Sequence, residues 1–183
     1  FSSLSASCYL AKAGYNVTVL EKNDTLGGRA RQYKKEGFTF DLGPSWHWMP
    51  DVFERFFADF GKKPSDYYTL DKLSPGYEVY FGENSSVKIA SKLDEIYDLF
   101  EKEEEGSAKH LKVFLDSAKA NYDTAIKDLV YKPGISPLEL VNTTTISRVT
   151  QFFSTIRKQV RKNIKSSKLI QILEFPVLFL GAK

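Results

Sequence analysis

The order of structural patterns near the amino end constrains this chain more than any other feature of its 183 residues. Residues 2–13 repeat apolar side chains on one helical face, and Gly14 follows where a left-handed cap ends a helix. Residues 15–20 form a short β-rich run that closes on the acidic Glu21. Helix, tight turn, strand and acid are the later parts of a dinucleotide-binding unit, whose acid accepts hydrogen bonds from ribose hydroxyls. This order predicts an α/β chain of Rossmann-like type.

The same order also occurs in ordinary packed α/β units that bind no nucleotide. The segment Leu26-Gly27-Gly28-Arg29 favours a nucleotide, because paired glycines let a backbone approach closely and an arginine can pair with phosphate. Two glycines and an arginine can equally form a simple turn. At this level both interpretations remain open.

Three segments in a fixed order carry a resemblance to a known family. They read Val-Thr-Val-Leu-Glu-Lys at 17–22, Leu-Gly-Gly-Arg at 26–29, and Gly-Phe-Thr-Phe-Asp-Leu-Gly-Pro-Ser at 37–45. This signature resembles the amino-terminal part of FAD-dependent amine oxidase-like flavoproteins, and most of all the bacterial phytoene desaturases. Carotenoid isomerases and retinol saturases are close relatives of that family. The resemblance is strong through Phe60 and looser beyond it.

The resemblance implies FAD as the cofactor and assigns a role to each motif residue. Glu21, followed by Lys22, would lie at the adenosine ribose, and the bend of Gly27, Gly28 and Arg29 against the pyrophosphate and ribityl region. Residues 44–46 would lie near the flavin, and Ser3 stands where the family usually has a further glycine. The implied cofactor-binding residues are Ser3, Glu21, Lys22, Gly27, Gly28, Arg29, Pro44, Ser45 and Trp46.

The implied activity is desaturation of phytoene or a related carotenoid by hydride transfer to flavin, with oxygen or a quinone-type compound as the later acceptor. The flavin supplies this chemistry, so no catalytic side chain is assigned. A redox-neutral carotenoid isomerase or a polyene saturase would share every motif quoted. A peripheral membrane module without redox activity, built on a degenerate nucleotide fold, is an alternative from another class.

An aromatic cluster follows the third segment, and it includes the two residues expected to contact a long apolar polyene, His47 and Trp48. Its other members are Trp46, Phe53, Phe56, Phe57 and Phe60. The cluster could line a substrate tunnel or simply pack one helix. His110 is expected to be a solvated helix residue. Neither histidine has a partner at metal or triad spacing, so no metal is predicted.

The pattern becomes mostly helical near residue 90. We therefore expect a partial FAD-binding domain at 1–90, from a flavoprotein with two dinucleotide-binding domains, and a helical substrate- and membrane-facing region at 91–183. Asp94 stands in a capping-box position for Ser91. The expected elements are extended irregular structure at 32–41, a helix at 51–60, a hairpin of 77–81 and 87–90, and helices from Ser91, at 107–131 and at 144–174 with breaks at 163 and 166–167.

Both ends of the chain are expected to be artificial. Phe1 leads directly into the helical pattern, and the last residues form an apolar run at 175–180. We expect a strand and a glycine turn to precede Phe1 in the parent protein. This piece alone is then expected to bind FAD poorly and to be inactive.

Charge and cysteine content set further expectations. The formal net charge of +3 is too small to indicate a nucleic-acid binder, and Cys8, the only cysteine, excludes an internal disulfide. A reducing cytoplasm is the default compartment. Residues 152–168 are rich in Lys and Arg and carry a regular apolar stripe of Phe152, Ile156, Val160 and Ile164. This segment predicts either an interfacial helix on an anionic membrane surface or a solvated charged face.

Overall fold

The computed structural model describes residues 1–43, 46–127, 129–136, 139 and 154–180. The chain divides into two compact units, Phe1–Leu70 and Asp71–Lys183. The change of organisation expected near residue 90 therefore lies earlier. The hairpin that precedes residue 90 belongs to the second unit, because Ile89 is buried there in one cluster with Phe100.

The first unit begins with helix α1, Ser2–Lys12, as predicted, and Gly14 adopts a φ of +88° just beyond it. The strand expected at residues 15–20 is wrong for this structure. A strand exists only through hydrogen bonds to a neighbouring strand. In the described part of the chain none pairs with this segment, and Leu20 is 91% exposed.

Strands β1, Arg31–Lys35, and β2, Phe38–Leu42, form an antiparallel hairpin with Tyr33 opposite Phe40. Irregular extended structure was predicted here, and that prediction is wrong. The two residues between the strands, Glu36 and Gly37, have φ values of +53° and +84°. Two successive positive φ angles produce a tight turn whose twist matches a hairpin.

Helix α2, Pro50–Asp59, confirms the predicted helix, with the proline in its first turn, where the missing N–H costs nothing. A 3₁₀ turn, Pro64–Asp66, follows. The ring of Tyr9 in α1 lies 5.1 Å from that of Phe60, and the Tyr9 hydroxyl donates to Asp59 at 2.6 Å. At these positions the aromatic cluster packs one helix against another.

The second unit opens with the predicted hairpin, β3 Tyr77–Tyr80 and β4 Ser86–Ile89. The remaining elements are α3 Leu93–Glu103, α4 Ser107–Lys127, a 3₁₀ turn Leu129–Tyr131, α5 Ile156–Val160, α6 Ser167–Glu174 and a 3₁₀ segment Phe175–Leu180. The capping box of Ser91 and Asp94 is not formed. Lys92, in an extended conformation, occupies the N-cap of α3 and makes no side-chain cap bond.

The core of the second unit corrects the expectation of a lipid-facing stripe. Val160 and Ile164 are only 2% and 3% exposed and pack among the buried apolar residues. Helix α5 ends at Val160, so the described part of the basic segment is a short helix and a turn rather than one long helix. Phe152 lies outside the described residues. Two of the four side chains that would enter lipid are therefore used by the protein core, whereas Ile156 is 39% exposed.

Candidate functional site

The double-glycine bend has a left-handed backbone that favours glycine at both positions and requires it at Gly27. Gly27 has a φ of +114° and Gly28 a φ of +59°. The Ala30 N–H donates to the Gly27 carbonyl at 3.0 Å, closing the bend. A Cβ on Gly27 would stand 2.7 Å from the Ala30 carbonyl oxygen, which is closer than van der Waals contact permits. The bend thus presents bare backbone beside the exposed side chain of Arg29.

Gly43 joins this bend from the other side of the β1–β2 hairpin. It has a φ of +106°, and a Cβ on it would collide with the Arg29 carbonyl oxygen. The pairing of Arg31 with Leu42 at the end of the hairpin brings these backbones together. Two of the three sequence motifs, separated along the chain, are therefore neighbours in space.

Glu21 lies on an exposed loop and is held by Asn23. One carboxylate oxygen, Oε1, accepts from the Asn23 main-chain N–H at 2.9 Å and from its side-chain amide at 2.8 Å. The main-chain hydrogen bond from Asn23 is the chief cause that lowers the pKa of the Glu21 carboxyl, and the charge of Arg31 acts in the same direction. The group is thus kept as an acceptor-only carboxylate. An acceptor of this kind suits ribose hydroxyls.

A cleft of about 890 Å³ separates the loop after Glu21 from strand β1, and it is lined by residues 22–26 and 30–34. Its lining carries three cations, Lys22, Arg31 and Lys34, against the one carboxylate of Asp24, so its net charge is positive. A cleft of this charge suits an anionic ligand. Of the predicted cofactor residues in the described part of the chain, Lys22 lines it, whereas Ser3, Glu21, Gly27, Gly28, Arg29 and Trp46 do not. Asn23 and Arg31 were not identified as site residues, because short polar loops carry no strong sequence signal.

The remaining predicted residues lie in other surroundings. Ser3 is exposed in the first turn of α1. Pro44 and Ser45 lie outside the described residues. Trp46 and Trp48 stack with ring centres 6.1 Å apart, and both remain substantially exposed.

His47 lies between these tryptophans in sequence and turns towards the aromatic cluster. Its ring is 4.5 Å from Phe53 and 5.7 Å from Tyr68. The Tyr68 hydroxyl is buried and has no hydrogen-bond partner among the residues that the structure describes. Sequence reasoning did not identify Tyr68, since nothing in its local pattern distinguishes it from a packing tyrosine.

The described residues hold no group of three or more His, Cys, Asp or Glu side chains that could bind a metal. His110 lies on α4 and is half-buried. No helix within the described ranges has the length and apolar character needed to cross a membrane.

The residues around the bend fit the adenosine diphosphate part of FAD. At Gly28 an added Cβ would meet no described atom within 4 Å, so a phosphate group could approach the main chain there, whereas Gly27 and Gly43 let the protein's own backbone segments pack closely. Arg29 supplies a planar cation for phosphate oxygens. Glu21 supplies the ionised acceptor. Both charge signs that the cofactor requires are thus present in the first unit.

Comparison with known proteins covers almost the whole chain. Residues 1–61 match the family of NAD(P)-binding Rossmann-like domains. The chain is 40% identical over 181 residues to a carotenoid 3,4-desaturase of Haloarcula japonica, an alignment that covers 97% of this chain and 37% of that protein. It is 31% identical over 182 residues to 4,4'-diapophytoene desaturases of Staphylococcus haemolyticus and Staphylococcus aureus, covering 98% of this chain and 36% of each. The chain thus spans little more than a third of the length of these relatives.

Proposed function

Because this chain is a homologue of carotenoid desaturases over nearly its whole length, we propose that its protein desaturates a carotenoid by hydride transfer to FAD, in carotenoid biosynthesis. The observation that carries the proposal is the contact between the double-glycine bend and Gly43, in the same unit as the ionised Glu21. This arrangement supports a dinucleotide site built from the motifs that carry the family resemblance.

When bound, FAD would accept the hydride that leaves a carbon of the polyene. The chain's own residues would bind and orient it. Glu21 would accept hydrogen bonds from ribose hydroxyls, Arg29 would pair with a phosphate, and Gly28 would let the pyrophosphate approach the backbone. These contacts fix the adenosine end of the cofactor and so place the distant flavin ring.

The substrate is proposed to be a long apolar polyene of the phytoene type. Trp46 and Trp48 present a stacked, exposed aromatic pair next to His47, and such rings offer a large apolar contact surface. Pro44, Ser45 and Trp46 are proposed to lie near the flavin, with His47 and Trp48 towards the polyene. In this arrangement the aromatic pair holds the polyene against the ring that accepts its hydride.

We place the protein on the cytoplasmic side of a membrane, from which an apolar polyene must be drawn. With Val160 and Ile164 buried, the proposed contact is electrostatic. Arg157, Lys158 and Lys162 are exposed on and after α5, and anionic lipid headgroups attract such side chains. This association is therefore expected to weaken as salt concentration rises.

The test is flavin content together with product formation. The intact protein, purified from cells, should be yellow and release FAD on denaturation, and it should convert phytoene or diapophytoene to a more conjugated, coloured product. Glu21→Ala should lower flavin occupancy, while Asp24→Asn in the same loop should not. Colourless intact protein that still binds anionic vesicles would replace the enzyme proposal with a membrane-binding module. A product with fewer double bonds or an isomerised one would identify a saturase or an isomerase.

A further inference from the structure

Asn23 donates two hydrogen bonds to Glu21, and the proposed function gives these bonds no role. Its main-chain N–H and its side-chain amide both donate to the same oxygen of Glu21, at 2.9 and 2.8 Å. Both residues are exposed, so nothing packs the glutamate into one conformation. A free glutamate side chain on a loop samples several rotamers, and ordering it on ligand binding costs conformational entropy. Asn23 supplies that order before a ligand arrives.

We propose that Asn23 is a positioning residue of the dinucleotide site, which holds Oε1 of Glu21 and so presents Oε2 to the ribose of FAD. This inference rests on the proposed function. A carboxylate oxygen that already accepts two hydrogen bonds is a poor further acceptor, so the ribose hydroxyls are directed to the other oxygen. The charge of Arg31 and the main-chain N–H of Lys22 favour its ionised form without replacing this restraint. Asn23 thus acts through Glu21 and touches no cofactor atom itself.

The sequence position of Asn23 agrees with this role. It lies two residues beyond Glu21, so its main-chain and side-chain donors close a short ring onto the carboxylate. Asparagine favours such local turns because its side chain resembles a peptide group. Alanine at this position would keep the main-chain donor and lose the amide. The expected loss of FAD-binding free energy is therefore the net contribution of about one hydrogen bond.

The experiment is a double-mutant cycle on FAD affinity, measured by quenching of flavin fluorescence with the intact protein after its flavin is removed. Asn23→Ala should weaken FAD binding by about three- to tenfold, the size of one hydrogen bond's net contribution. Asn16→Ala, the same change on the exposed segment before Glu21 and outside the cleft, should leave the affinity unchanged. In a Glu21→Ala background, Asn23→Ala should have less than about a twofold effect, because its target is gone.

Two outcomes would overturn the inference. One is an unchanged affinity in Asn23→Ala, and the other is an equal loss with and without Glu21, which would mean that Asn23 acts independently. Rescue by Asn23→Asp is not expected, since a carboxylate would repel Glu21. Failure of the proposed function looks different, because the unaltered protein would then bind no FAD at all.

Discussion

Gly43 lies so close to Arg29 that any side chain on it would meet the arginine's carbonyl oxygen. The two residues belong to different sequence motifs and become neighbours only because the β1–β2 hairpin folds back on itself. The missing side chain of Gly43 is therefore needed for the contact with Arg29 as well as for the positive φ of its own turn. Its substitution should disturb the bend that we assign to the pyrophosphate.

Gly43→Ala should destabilise the first unit by about 2–4 kcal/mol, since a positive φ and a steric collision are combined. Gly14→Ala is the matched control, because Gly14 also has a positive φ but meets nothing within 4 Å of an added Cβ. Thermal unfolding and flavin content of the intact protein measure both variants. Equal destabilisation by the two substitutions would mean that the steric collision with Arg29 does not affect the free energy of unfolding.

Tyr68→Phe should stabilise the protein by about 1 kcal/mol or leave it unchanged, since the buried hydroxyl lacks a partner and its removal relieves a desolvation cost. Tyr67→Phe, at an exposed neighbour, is the control. The measurement is chemical denaturation. A loss of flavin or polyene binding in Tyr68→Phe, without a loss of stability, would instead assign the hydroxyl to a ligand.

Glu104→Ala should destabilise the second unit by about 1–3 kcal/mol. The carboxylate of Glu104 accepts from the main-chain N–H groups of Lys165 and Ser166, at 2.9 and 2.6 Å, just before α6 begins. Removing it leaves those donors without their acceptor. Glu105→Ala, an exposed neighbour, should change the unfolding free energy by less than about 0.5 kcal/mol. Similar losses in the two variants would count against this anchoring role.

The pair of Arg161 and Glu174 should make stability depend on pH. Arg161 donates through Nε to Glu174 at 2.8 Å, and this hydrogen bond is the main cause that lowers the pKa of the Glu174 carboxyl below 4.5. The contribution of this ion pair to the free energy of unfolding is therefore present above pH 4.5. It is lost as the pH falls through the lowered pKa of Glu174. The melting-temperature difference between the unaltered protein and Glu174→Gln should be largest near neutral pH and should shrink in acid. A difference independent of pH would contradict the prediction.

Charge reversal of Arg157, Lys158 and Lys162 to glutamate should weaken sedimentation with anionic vesicles, and the unaltered protein should lose the same binding at high salt. The control reverses the exposed lysines at 62, 72 and 109, which changes the net charge equally. Vesicles of neutral lipid should bind neither form. Equal losses in both triple variants would indicate attraction by total charge rather than by this surface.

The elements that the sequence predicted correctly are those set by local pattern. Helices α1 and α2 follow apolar periodicity, and the β3–β4 hairpin follows two β-rich runs around a Gly-containing turn. The prediction at residues 15–20 failed for a different reason. A strand is defined by its partner, and Leu20 has no paired neighbour among the described residues. Periodicity alone could not reveal that.

For the candidate site, the residues named from the sequence stay a prediction. Glu21, Gly27, Gly28 and Arg29 were named from their residue types and spacing, and their assignment to FAD is a proposal that the glycine contacts support. Asn23 was not named, because a two-residue hydrogen-bonded ring looks like any polar turn in sequence. The apolar stripe with Val160 and Ile164 was predicted to belong to an interfacial helix or to a solvated charged face, and the core, where both residues lie, demands the same apolar residues as lipid.

The amino-acid sequence by itself determined helices α1 and α2, the positions of the glycine turns and the resemblance to carotenoid desaturases, because these depend on residues near one another along the chain. The tertiary structure alone decided that Gly43 lies against Arg29 and that Val160 and Ile164 enter the core. Those outcomes depend on which distant segments meet. A periodic apolar pattern indicates that one face of a helix must be buried. Which segment packs against that face depends on the whole fold.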